Sequence, residues 1–104
     1  KGHIGISESY VELTEQINLL DKTLDKAFPD GSTIIENAYF SGDVSALKRI
    51  FDDNLGSGKF EEFTDRADKI IEASAKNDQS ELKRLNNLNL NMLADLNDKL
   101  NGGS

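Results

Sequence analysis

The sequence predicts an all-α fold, an antiparallel four-helix bundle whose second helix is broken near Ser41-Gly42-Asp43. Three observations predict it. Apolar residues recur at spacings of three and four along most of the 104-residue chain. Capping-box pairs, Ser9–Glu12, Thr33–Glu36 and Asp78–Glu81, stand where such runs begin. The stretches between the runs are short and hold Gly31, Gly42, Gly56, Gly58 and the only proline, Pro29.

The first helix is expected from about Ser9 to Phe28, with Tyr10, Leu13, Ile17, Leu20, Leu24 and Ala27 as its seam. Phe28-Pro29-Asp30-Gly31 stops it, because the residue before a proline is pushed out of the helical region. Thr33 and Glu36 open the second through Ile34, Ile35, Ala38 and Tyr39. Gly42 suits a left-handed cap and Asp43 a new start. The stripe resumes at Val44, Leu47, Ile50, Phe51 and Leu55, so residues 33–54 read as one long helix broken in the middle.

The third, about Lys59 to Lys76, carries Phe60, Phe63, Ala67, Ile70, Ile71 and Ser74 on one face. The fourth runs from the Asp78 cap to about Leu100. Within it, "NNLNLNML" alternates Asn with apolar residues as a strand would. Yet Leu82, Leu85, Leu88, Met92, Leu93, Leu96 and Leu100 fall within an arc of about 140° on a helix, so helix is expected. Asn86, Asn87, Asn91, Asn97 and Asn101 lie outside that arc. Asn89 lies inside it, where a polar residue either fixes register or oligomeric state on an apolar seam or sits at the end of a core layer and reaches water. Four helical stretches of similar length, joined by short loops, favour antiparallel neighbours. Residues 8–100 read as one domain, 1–7 as an N-terminal extension with the character of added sequence, and 101–104 as a linker-like tail.

With 37% hydrophobic and 30% charged residues and no long apolar run, the chain belongs with globular domains, not with disordered or membrane-spanning ones. It shows no signal-peptide pattern, and the compartment stays open. Having no cysteine, it has no thiolate chemistry. The net charge of −7 collects in the first half, with no basic patch anywhere. That argues against nucleic acid and against an anionic membrane, and makes a basic surface the expected electrostatic partner.

Few motifs carry chemistry. "DDNLGSGKFEEF", residues 52–63, fails as a calcium loop in either register, because Phe63 or Thr64 falls where a bidentate Glu is required. "GSGK", residues 56–59, has Asp53 in place of the first glycine of a phosphate loop, Phe60 after the lysine, and no preceding strand. Glu61, Asp65, Asp68 and Glu72 line one helix face, a docking row for a basic partner or simply a solvated face interleaved with Arg66, Lys69 and Lys76. No Glu-x-x-His pair accompanies them, so neither metal nor cofactor is expected. His3 is the only histidine, which removes most nucleophile–base arrangements, and the expectation is a chain that is not an enzyme. Val11, Leu19 and Leu90 fall off the core stripes and form a second set of candidate contact residues.

Phe40-Ser41-Gly42, at a helix break near mid-chain, is similar to the turn of the small helical-hairpin secretion substrates named for a Trp-x-Gly motif. The resemblance covers three residues and the gross layout. Phe40 stands in place of Trp and Pro29 interrupts the first helix, so the family is not assigned.

The expected function is therefore a non-enzymatic protein–protein interaction module, an adaptor, inhibitor or secretion-related domain, with self-association left open. Two alternatives stand beside it. One is a bundle that holds a small ligand among Tyr10, Phe28, Tyr39, Phe40, Phe51, Phe60 and Phe63. The other is a structural spacer in a longer protein.

Overall fold

Every regular element among the described residues is helical, as the apolar spacing requires. A computed structural model describes residues 2–102, with side chains from Val11 to Gly102. It contains five helices: α1 (Gly2–Ala27), α2 (Gly31–Ser41), α3 (Ser45–Leu55), α4 (Lys59–Ala75) and α5 (Gln79–Asn97). A π-helical turn, Asp98–Gly102, prolongs α5. "NNLNLNML" lies wholly within α5. The expected long, broken second helix is two separate helices. Gly42, at φ 71°, closes α2 in the left-handed region that glycine adopts without strain.

α2 opens at Gly31, two residues before the expected Thr33, and Asp30 precedes it without a side-chain cap. The cause is packing. Gly31 is buried where the first turn of α2 crosses the end of α1, and a Cβ there would collide with the Leu24 carbonyl and the Asp25 nitrogen. α1 also begins earlier than expected, at Gly2. Tyr10, expected at the start of its seam, lies outside the described side chains.

Of the other expected caps, Asp78 forms one, while α3 is capped by Val44 without a side-chain bond and Asp43 stands one residue earlier. Asp43 accepts from the Ser45 N–H at 3.2 Å and the Ser45 hydroxyl at 2.6 Å, fixing the entry to α3. Asp78 accepts from the Glu81 N–H at 3.2 Å and caps α5, while the Glu81 carboxylate turns instead to Arg84 at 2.6 Å. α4 ends in a Schellman arrangement, with Asn77 at φ 59° and the Asp78 N–H donating to the Ala73 carbonyl at 2.9 Å.

α1 packs on α2, α4 and α5, and α3 on α4 and α5. The main apolar cluster joins Leu20, Leu24, Leu47, Phe51, Phe60, Leu93 and Leu96. Phe51 sits at its centre, with ring centroids 5.4 Å from Phe60 and 5.1 Å from Phe63. A smaller cluster, Ile70, Ala73, Leu82 and Leu85, with Leu13 against it, lies nearer the α4–α5 connection.

Two expected seams are rotated. In α1 the buried positions include Gln16, Leu20, Thr23 and Leu24, while Ile17 is 44% exposed. In α5 they are Leu82, Leu85, Asn86, Asn89, Leu93 and Leu96, with Leu88 at the rim. Asn86 therefore lies in the core, not outside the stripe. The physical reason is that its amide oxygen accepts from Gln16 Nε2 there.

Candidate interaction surfaces

Between the two apolar clusters runs a polar layer built from three helices. Gln16 lies between Leu13 and Leu20 on α1, Asn86 and Asn89 between Leu85 and Leu93 on α5, and Arg66 between Phe60 and Ile70 on α4. Arg66 Nη1 donates to Asn89 Oδ1 at 3.1 Å, and Asn89 Nδ2 to Gln16 Oε1 at 3.0 Å. Gln16 Nε2 then donates to Asn86 Oδ1 at 2.7 Å. Asn89 Nδ2 also reaches the Phe63 carbonyl at 3.3 Å. The outer end of the relay is Glu62, which pairs with Arg66 Nη2 at 2.9 Å. Asn89 is fully buried, so its amide is satisfied by protein and not by water at the end of a core layer.

The acidic row of α4 stays on the surface. Glu61, Asp65, Asp68 and Glu72 are exposed, and Glu61, Asp65 and Glu72 line a groove of about 790 Å³ between α4 and the start of α5. Asp68 is not part of its wall. The opposite wall brings Arg84, and Arg66, Lys69 and Lys76 stand among the acids. The paired carboxylates of this groove are not those of the row: Glu62 is held by Lys59 and Arg66, and Glu81 by Arg84. These bonds hold both carboxylates below their usual range, the Arg66 and Arg84 guanidiniums being the main causes. Among the described residues, no three His, Cys, Asp or Glu side chains converge as metal ligands would.

The loop "DDNLGSGKFEEF" has a structural use. Asp52, on α3, accepts from the Phe60 N–H at 3.1 Å and so satisfies one of the free donors at the start of α4. This bond, with Lys48 at 3.3 Å, holds its carboxyl below the usual range.

Val11, Leu19 and Leu90 do not come together as one patch. Val11 and Leu19 share an open depression of about 450 Å³ on α1 with Thr14, Glu15, Asn18 and Lys22. Val11 is 64% exposed, but Leu19 is half-buried against the main cluster. Leu90 is half-buried on α5 and does not line that depression.

The most exposed large apolar side chains lie elsewhere. Tyr39 and Phe40, at the end of α2, are 74% and 80% exposed, and their rings meet edge to face at 5.2 Å and 87°. Val44 follows across the Gly42 turn at 39%. Ile34, Ile35 and Ala38 hold the inner face of α2 against the core. At 3.6 residues per turn, Phe40 points roughly 170° from the middle of that face. Sequence reading placed Tyr39 on the inner face and both rings among candidate pocket residues. The phase of Ile34, Ile35 and Ala38 places Phe40 outside, while Tyr39 stands roughly 90° from that face, at its flank.

No helix among the described residues is long and apolar enough to cross a membrane. Neither a protein-family model nor a curated protein nor a solved structure matches the chain.

Proposed function

We propose that this chain is a non-enzymatic helical module that binds another protein, in the manner of an adaptor, inhibitor or secretion-related domain. In this reading α2 and α3 together take the place of one helix of an antiparallel four-helix bundle. The observation that carries it is the Tyr39–Phe40 pair, two large rings held against each other in water at the end of a helix whose other face is committed to the core. Exposed aromatic rings are enriched at the centres of protein interfaces, because each brings a large apolar area at small entropic cost.

The aromatic set invoked for a small ligand divides. Phe60 and Phe63 both pack on Phe51, while Tyr39 and Phe40 are exposed. That favours a partner over a ligand held between helices. The charge of −7 favours a partner with a basic surface over a nucleic acid or an anionic membrane.

The test is affinity capture from extract of the source cells, with the parent, a Tyr39→Ser/Phe40→Ser variant and a Val11→Glu/Leu19→Glu variant, each first shown by circular dichroism to be folded. A protein retained by the parent and lost by one variant supports the reading and identifies the surface. Retention of nothing by the parent contradicts it.

A further inference from the structure

The α2–α3 corner combines an apolar knuckle with a one-signed charge field. From residue 27 to residue 47 the chain carries Asp30, Glu36 and Asp43 and no Lys or Arg. Glu36 stands one turn before Phe40 on α2, so the two share a face, and it forms no ion pair with a described residue. Asp43, inside the turn, is held ionised by the Ser45 hydroxyl and N–H. The cations of α3 begin only beyond this stretch, with Lys48, turned to Asp52, and the exposed Arg49. The rings are already ordered against each other and α2 is anchored by Ile34, Ile35 and Ala38. A partner therefore meets a preorganised element, which lowers the entropic cost of binding.

We propose that this corner is the docking element, and that its partner is a protein surface of apolar side chains set among lysines and arginines. The proposal rests on the interaction-module reading and adds its surface and the partner's chemistry. Tyr39, Phe40 and Val44 supply the desolvated centre; Glu36 and Asp43 supply a rim that steers basic groups and repels acidic ones. The same rim disfavours an anionic lipid surface, and it disfavours a second copy of this acidic chain at the same corner.

The probe is a displayed library of random twelve-residue peptides selected against the immobilised chain. The proposal expects enriched sequences that combine Lys or Arg with aromatic or aliphatic residues. Their binding should fall at least tenfold against Tyr39→Ser/Phe40→Ser, several-fold against Glu36→Gln/Asp43→Asn, and be unchanged against Val11→Ser. Circular dichroism and the melting temperature should be preserved in the ring variant, since both side chains are mostly in water.

No enrichment, enrichment of acidic or neutral sequences, or binding indifferent to the ring variant would overturn it. So would Phe40-dependent binding to phosphatidylcholine–phosphatidylglycerol vesicles, or Phe40-dependent dimerisation in sedimentation. Enriched peptides that bind another face leave the interaction-module reading standing; capture of nothing from source extract removes that reading itself.

Discussion

Gln16 and Asn89, 73 positions apart in the chain, meet between the two apolar clusters, where the Asn89 amide donates to the Gln16 carbonyl oxygen at 3.0 Å. The bond is one link of a relay, Arg66 to Asn89 to Gln16 to Asn86, that ties α4, α5 and α1 at one level. Leucines slide past leucines at little cost, whereas amides that must find each other do not. We infer that this layer sets the mutual register of the three helices.

Asn89→Ala removes the shared partner of Gln16 and Arg66, leaving Gln16 Oε1 buried and unpaired and Arg66 Nη1 without its acceptor. The expected loss is about 2–3 kcal/mol in urea unfolding, the size of an uncompensated buried group plus a small cavity. Replacing Gln16, Asn86 and Asn89 together by leucine removes the stranded amide atoms, and Arg66 keeps its bond to Glu62. That triple variant should be close to the parent in stability but give a broadened amide spectrum, as alternative registers become populated. Sharp, dispersed resonances in the triple variant would remove the register role.

Gly31→Ala should destabilise by about 2 kcal/mol or more, because the added methyl meets α1 backbone and cannot be relieved by a rotamer change. Gly42→Ala has open space and should cost only the left-handed backbone penalty, about 1–2 kcal/mol. Thermal unfolding of the two variants side by side measures the difference.

Ser74→Ala should stabilise the protein by about 1 kcal/mol. The Ser74 hydroxyl is buried without a hydrogen-bond partner, so its removal relieves desolvation and breaks nothing. Chemical denaturation checks the sign.

These variants also mark how far the sequence could be read. Helical spacing and the Asp78 cap were legible, because they are local. The rotation of the α5 seam was not. Counting only apolar residues drew its centre toward Leu88, whereas amides at Asn86 and Asn89 belong in the core once Gln16 and Arg66 are there to meet them. The same tertiary pairing buries Gln16 and leaves Ile17 in water. The early start of α2 depends on a close approach of Gly31 to Leu24 that no pattern within α2 reveals. Of the candidate contact residues, the exposure of Val11 and the acidic row was legible. Tyr39 and Phe40 were misread because aromatic residues at helical spacing are ordinarily core.

Acid should weaken the fold through carboxylates whose pKa lies below its ordinary value. Asp43, Asp52, Glu62 and Glu81 are all lowered, Asp43 and Asp52 by hydrogen bonds from Ser45 and Phe60, Glu62 and Glu81 chiefly by arginines. A depressed native pKa gives stability that is fully present above the unfolded value, about 4, and is lost as pH falls through the native value. Stability should therefore be flat near neutrality and decline below about pH 4. Asp52→Asn, which loses the charge at the start of α4, should lower stability at pH 7 and make the acid decline shallower. Melting temperatures from pH 2 to 7 test both.

The central claim is that the chain works by binding a protein through the α2–α3 corner. Its most direct test is photo-crosslinking in extract of the source cells, with benzoylphenylalanine placed at position 40 and, as a control, at the exposed position 87 of α5. The account predicts a discrete protein adduct at position 40, competed by excess parent chain and absent at position 87. No adduct at position 40, or the same adducts from both positions, would contradict it.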